Sequence, residues 1–193
     1  MIDEVSALRV LLIGFLLALS YPIFRREFYL CTTASEAFVY TFLYKMRVIR
    51  DGGCWFFSHF NTLTRVPLST FRLDVTQRII DRDRLEAIID VAFYLRILDH
   101  DEGIQSAAAS FTEPVPPVPF AQPIRVVTPY SVGRMLEPRL ESYLRRGASS
   151  VTLEELLSRS VPWLQEGQQI LSDDLYHQGL SIESITLTRV QEG

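Results

Sequence analysis

Residues 85–97 read LEAIIDVAFYLRI, the longest alternating run in the chain. Leu85, Ala87, Ile89, Val91, Phe93, Leu95 and Ile97 recur at every second position. Glu86, Asp90 and Arg96 fall on the opposite side, with Ile88, Ala92 and Tyr94 between them. Successive side chains of a strand point to opposite faces, so the pattern predicts a long strand with one face in a core and the other wet or facing a partner. Upstream, Asp81-Arg82-Asp83-Arg84 marks a turn, and before it Phe71, Leu73 and Val75 alternate with Arg72, Asp74 and Thr76. That segment, Leu68–Val75, reads as half-buried sheet.

Further towards the N-terminus, residues 28–75 read as a meander of strands. Glu36–Tyr44 is rich in aromatic and β-branched types. Val48 and Ile49 run into Arg50-Asp51-Gly52-Gly53, a tight turn, and Cys54–Phe57 follows. Thr62–Val66 is separated from the next strand by Pro67, which suits a sheet edge or a strand start.

Downstream, the composition of Asp101–Ser110 is helical, with an Asp placed to favour the helix dipole. Six of the ten prolines then lie between residues 114 and 129. Such a run cannot hold a helix or a central strand, so residues 113–129 are expected to form an exposed, extended loop. A ligand for a proline-binding domain is the alternative reading. Helical periodicity resumes over Tyr130–Arg146 through Val132, Met135, Leu136, Leu140 and Leu144, with Gly147 as the stop. Thr152-Leu153-Glu154-Glu155 has capping-box spacing. Pro162 opens a further helix reaching to about Gln178, with Gly179 as its C-terminal cap. Leu180–Val190 closes the chain as a strand. Strands first, then helices, then one strand predict an α+β domain over residues 28–193, with a curved, largely antiparallel sheet and helices packed on one side.

The first 27 residues are of another kind. Val10–Phe24 reads VLLIGFLLALSYPIF without a charge, and extension back to Val5 adds only Arg9 as a charged group. As helix the uncharged part spans about 22 Å and the extended stretch about 30 Å, against a bilayer core of about 30 Å. Val10, Leu11, Leu12, Ile13, Phe15, Leu16, Leu17, Leu19, Ile23 and Phe24 are the expected anchor residues, with Arg25 and Arg26 as interfacial cations. The leader MIDEVSALR offsets Arg9 with Asp3 and Glu4, and no small-residue cleavage site follows, unlike a secretory signal. A buried core helix is a third reading, and an in-plane helix is the runner-up to a spanning one. Acidic residues before the segment and arginines after it place the domain on the cytoplasmic side.

Hydrophobic residues make up 48 % of the 193, enough for one sizeable core. Nineteen basic and 23 acidic residues are mixed along the chain, a balance that argues against a nucleic-acid partner. Cys31 and Cys54 are too few for a disulfide framework. Cys31, just past the apolar segment, is a conceivable acylation site. No phosphate loop surrounds Gly52-Gly53. A Cys54/His59 dyad lacks a third group. The Asp99-His100-Asp101-Glu102 run reads as a solvated turn, because adjacent residues do not readily converge on one ion. His177, in the last turn of a helix, complements the dipole. No catalytic residue, cofactor site or metal site is assigned, and the chain reads as non-enzymatic.

Several blocks in order carry a family resemblance: Arg50-Asp51-Gly52-Gly53-Cys54-Trp55; Arg65 to Val75; Asp83-Arg84 leading into Asp90–Ile97; Thr152–Leu156; and Asp173-Asp174-Leu175 with Gly179–Arg189. They resemble the flotillin branch of the SPFH (stomatin/prohibitin/flotillin/HflK-C, or band 7) superfamily, and bacterial YqiK-type members in particular. The resemblance implies an inner-membrane scaffold that self-associates into a large ring or cage, or joins a related SPFH subunit, and organises membrane microdomains. It implies no catalytic residue. The alternative is a regulatory subunit that recruits or restrains another membrane protein, such as a protease or an NfeD-like partner. Relatives of this kind continue into a long coiled coil where this sequence stops at Gly193, so the span present is not expected to build a cage by itself.

Overall fold

A computed structural model describes residues 12–16, 18–22, 25, 28–42, 45–57, 61–112, 124–152, 154–155 and 162–192. The long alternating run is β7 (Glu86–Ile97), the middle strand of a three-stranded antiparallel sheet. Its partners are β6 (Phe71–Ile80) and β9 (Leu180–Glu192). Leu95 lies opposite Phe71 and Ile182, and Phe93 opposite Leu73 and Ile185, so the apolar positions of all three strands share one face. Ala87, Ile89, Val91, Phe93, Leu95 and Ile97 are buried as expected, whereas Leu85, outside the strand, is exposed. The register slips at two places along β9, which bends the sheet by adding an unpaired residue at each. The opposite face carries Arg72, Asp74, Thr76 and Arg78, all exposed. An Arg72–Asp74 ion pair of 2.7 Å and a Thr76-to-Asp90 hydrogen bond of 2.7 Å hold its charges in place.

The expectation of one curved sheet is corrected. Besides the β6–β7–β9 sheet there is a four-stranded sheet of order β3 (Lys45–Ile49), β2 (Glu36–Phe42), β5 (Asn61–Pro67) and β8 (Ile124–Val126). A separate pair joins β1 (Tyr29–Cys31) to β4 (Gly53–Trp55). The turn at Arg50–Gly53 is present, with Gly52 at a φ of +102°, yet it sends the chain from one sheet to another. Gly53 lies against the Leu30 carbonyl and the Tyr29 ring, where no side chain fits, so the chain pairs with β1.

The loop expected over residues 113–129 is also corrected at its C-terminal end. Ile124–Val126 pairs in parallel with Leu63–Arg65 at the sheet edge. These residues lie between Pro123 and Pro129 and keep their N–H groups, so they can join a ladder that the prolines cannot. Pro129 itself is the first residue of a helix. Residues 113–123 lie outside the described residues.

Three helices complete the core, the first lying mainly against the four-stranded sheet and the other two on the inner face of the β6–β7–β9 sheet. The first, α1, is Asp101–Phe111; α2 is Pro129–Ala148, lying along β6; α3 is Pro162–Tyr176, lying along β9. Thr128 caps α2 in a reciprocal box: the Ser131 N–H donates to Thr128 Oγ1 and the Thr128 N–H to Ser131 Oγ, both at 3.0 Å. Gly147 does not stop this helix, which continues to Ala148. Ser149 and Ser150 donate their hydroxyls to the Arg146 and Gly147 carbonyls, so the end needs no left-handed residue. The Thr152/Glu155 capping box forms as its spacing predicts, at 3.0 and 3.3 Å, and most of the short helix after it lies outside the described residues. Gly179 follows α3 with a φ of +80° and accepts the Leu98 N–H, tying the helix end to β7.

Packing separates two apolar clusters. The larger lies between the helices, the β6–β7–β9 sheet and one face of the four-stranded sheet, from which Ala37, Val39 and Val66 contribute. The smaller, Phe38, Cys54, Phe56 and Leu63, lies on the other face of that sheet under β1 and β4. Arg50 joins the two regions by reaching Asp99 at 3.2 Å and Asp101 at 2.6 Å, at the start of α1.

Candidate membrane-contact surface

The apolar N-terminal segment is helical over residues 12–16 and 18–22. Leu12, Ile13, Phe15, Leu16, Leu19 and Tyr21 are each between 54 % and 64 % exposed. A charge-free, largely apolar helix covered by none of the described elements keeps its side chains in water unless a bilayer or another chain takes them. Full burial of each large aliphatic or aromatic side chain is worth about 1.5–3 kcal/mol, so this exposure has a strong drive to be relieved. Among the described residues no helix is long and apolar enough to cross a membrane. The described turns span about 16 Å, roughly half a bilayer core. Val10, Leu11, Leu17, Ile23, Phe24 and Arg26 lie outside the described residues.

Where this segment meets the domain, aromatic rings and a cation form a collar. The Arg25 guanidinium sits 5.5 Å from the Tyr29 ring centroid. Tyr29 meets Trp55 edge-on at 5.3 Å, and Phe28 stacks on Phe57 at 5.4 Å. The β1–β4 ladder produces this cluster by setting Tyr29 opposite Trp55. Amphipathic rings beside an apolar segment are the side chains that settle at a membrane–water interface. The sequence reading singles out Arg25 but not these rings, because residues 28–29 and 55–57 meet only through strand pairing.

Next to the collar, the β2–β3 register sets Tyr40 opposite Arg47 and Phe42 opposite Lys45, all on one face. They line an open cleft of about 430 Å³. Phe42 and Met46 are exposed at the same hairpin end. Burial, and then Cys54, raise the Tyr40 hydroxyl above its ordinary range, while Arg47 pulls it down.

Cys54 is buried in the smaller cluster, and desolvation foremost, with Cys31 second, pushes its thiol up, away from the nucleophilic thiolate. Its sequence neighbour in the dyad, His59, lies outside the described residues. Asp99 and Asp101 are engaged by Arg50, and the His100 ring lies 6.1 Å from Tyr176. Among the described residues no three His, Cys, Asp or Glu side chains gather as a metal site would require. Cys31 is exposed at the end of β1. A groove of about 630 Å³ between α2 and α3 is rimmed by Arg139, Arg146 and Asp174 over Tyr143 and Leu171.

Residues 33–193 match the family model described as SPFH domain / Band 7 family. The chain belongs to that family. It is similar to the Flotillin family inner membrane protein YqiK of Escherichia coli, 27 % identical over 164 residues, covering 83 % of this chain and 28 % of the relative. It is also similar to the Flotillin family inner membrane protein sll1021 of Synechocystis, 25 % identical over 190 residues, covering 95 % of this chain and 27 % of the relative. This SPFH domain is thus flotillin-like, and the chain spans just over a quarter of the length of the relatives it matches.

Proposed function

We propose that this flotillin-like chain is a membrane-anchored scaffold, held to the bilayer by its N-terminal apolar segment with the SPFH domain on the cytoplasmic side. The observation that carries the reading is the exposed, charge-free helical segment, followed along the chain by a collar of Arg25, Tyr29, Trp55, Phe28 and Phe57. Both relatives are inner membrane proteins of the flotillin family, which supports the same location. Self-association into a ring, and through it the ordering of a membrane microdomain, extends the reading from family membership.

Flotation with phosphatidylcholine vesicles tests the anchor. The full chain is expected to rise with the vesicles and to stay with them in alkaline carbonate. A chain that remains at the bottom of the gradient sinks the proposal. Mass measurement after detergent extraction tests the scaffold, for which many copies per particle are expected. A small complex with a second membrane protein would instead favour the regulatory-subunit reading.

A further inference from the structure

We infer that the cleft on the face of the β2–β3 hairpin binds the anionic headgroup of a phospholipid, giving the domain a second contact with the bilayer beside its anchor. Two cations, Lys45 and Arg47, face this cleft across from two aromatic rings, Phe42 and Tyr40. Neither cation has an acidic partner among the described residues, although Arg50, Arg72 and Arg96 all do. A paired arrangement of cations over apolar walls matches a phosphate joined to acyl chains, because the charge meets the phosphate and the rings meet the glycerol and upper chain.

Position argues for the bilayer as the source of that phosphate. Phe42 lies opposite Asn61 on β5. The Asn61 N–H donates to the Phe57 carbonyl at 2.9 Å, and its side-chain amide donates to the Trp55 carbonyl at 3.5 Å. Phe57 stacks on Phe28, where the apolar segment joins β1. The cleft and the anchor therefore leave the domain at the same end. With the segment in a membrane, Lys45 and Arg47 come to the depth of the headgroups. This inference rests on the anchoring reading, and the two fail in different ways.

The test uses the full chain in vesicles of equal parts phosphatidylcholine and phosphatidylglycerol, with spin-labelled forms of each lipid reporting which is held at the protein. A preference for phosphatidylglycerol is expected, falling about fivefold for each cation removed in K45Q and R47Q. R72Q, on the open face of the other sheet, should leave it unchanged. All variants should still float, because the anchor is intact, and circular dichroism checks that they are folded. An unchanged preference in the K45Q/R47Q double variant, or none in the wild type, overturns the inference while leaving the anchor. Inorganic phosphate binding in pure phosphatidylcholine vesicles, lost in the double variant without a lipid preference, assigns the cleft to a free anion and overturns the lipid assignment. A change in particle mass without a change in lipid preference assigns the face to contact between copies. Failure of the wild type to float overturns the anchoring reading and this inference with it.

Discussion

Gly179 leaves α3 with a left-handed backbone, and a Cβ there would run into the Gly103 carbonyl on α1. Gly179→Ala therefore combines backbone strain with a clash against main chain, and a loss of about 3 kcal/mol is expected from urea unfolding in detergent. Its role as a cap is readable in the sequence, since Gly ends a periodic segment there. The close approach to α1 is not, because residues so far apart in sequence meet only in the packed domain. Tyr143 makes a second case at this scale. Burial raises its hydroxyl from the ordinary 10.0 to about 12. The folded state thus keeps a proton that the unfolded chain releases above about pH 10, so the contribution is complete below that pH. It is lost as pH rises through about 12. Unfolding midpoints followed from pH 8 upward should fall over this window, and Tyr143→Phe should flatten the fall. An equally steep fall in the variant would assign it to other groups.

At the scale of the element, local chemistry decides where α2 starts. Pro129 presets the first turn, and Thr128 and Ser131 satisfy backbone N–H groups that the helix leaves free. Thr128→Ala is expected to cost about 1–2 kcal/mol, measured as a shift of the thermal midpoint, and Thr128→Asn to restore most of it. The sequence reading places this helix within one residue of its start. It misses the cap, because Ser131 departs from the usual Glu or Gln partner. The same contrast separates the strands. β7 is legible because twelve residues alternate against two partners. β1 and β8, with three residues each, hold too few alternations to show a period, and only the strand beside each reveals it. The lipid cleft is lost for a related reason. Lys45 and Arg47 alternate with Met46 and Val48, a strand signal, but Tyr40 and Phe42 join them only once the register is known.

For the whole molecule, the anchor and the domain pose separate physical problems. The domain buries its apolar residues in two clusters of its own, so it does not depend on the segment before residue 28 to cover them. The segment has no such cover among the described elements, and its solvent is the quantity to change. Leu12→Lys with Leu16→Lys sets two charges into the apolar stretch, each costing about 2.5–3.5 kcal/mol at the centre of a bilayer helix. The variant should float far less than the wild type, with a far-ultraviolet circular dichroism signal of the domain preserved. Undiminished flotation would mean that another surface carries membrane binding, and the cleft at Lys45 and Arg47 would then be the first place to look.

The sequence by itself determined the elements whose information is local: the long alternating strand, the caps at Thr152 and Gly179, and the charge-free run before residue 25. Period, caps and hydropathy all act over a few residues, and the ordered motif blocks carry the family. Only the tertiary structure decided how the strands divide among three sheets, that the end of the proline-rich stretch pairs at an edge, and which charged residues meet. Those outcomes depend on Gly53 admitting the β1 backbone and on the β2–β3 register, long-range contacts that no local pattern encodes.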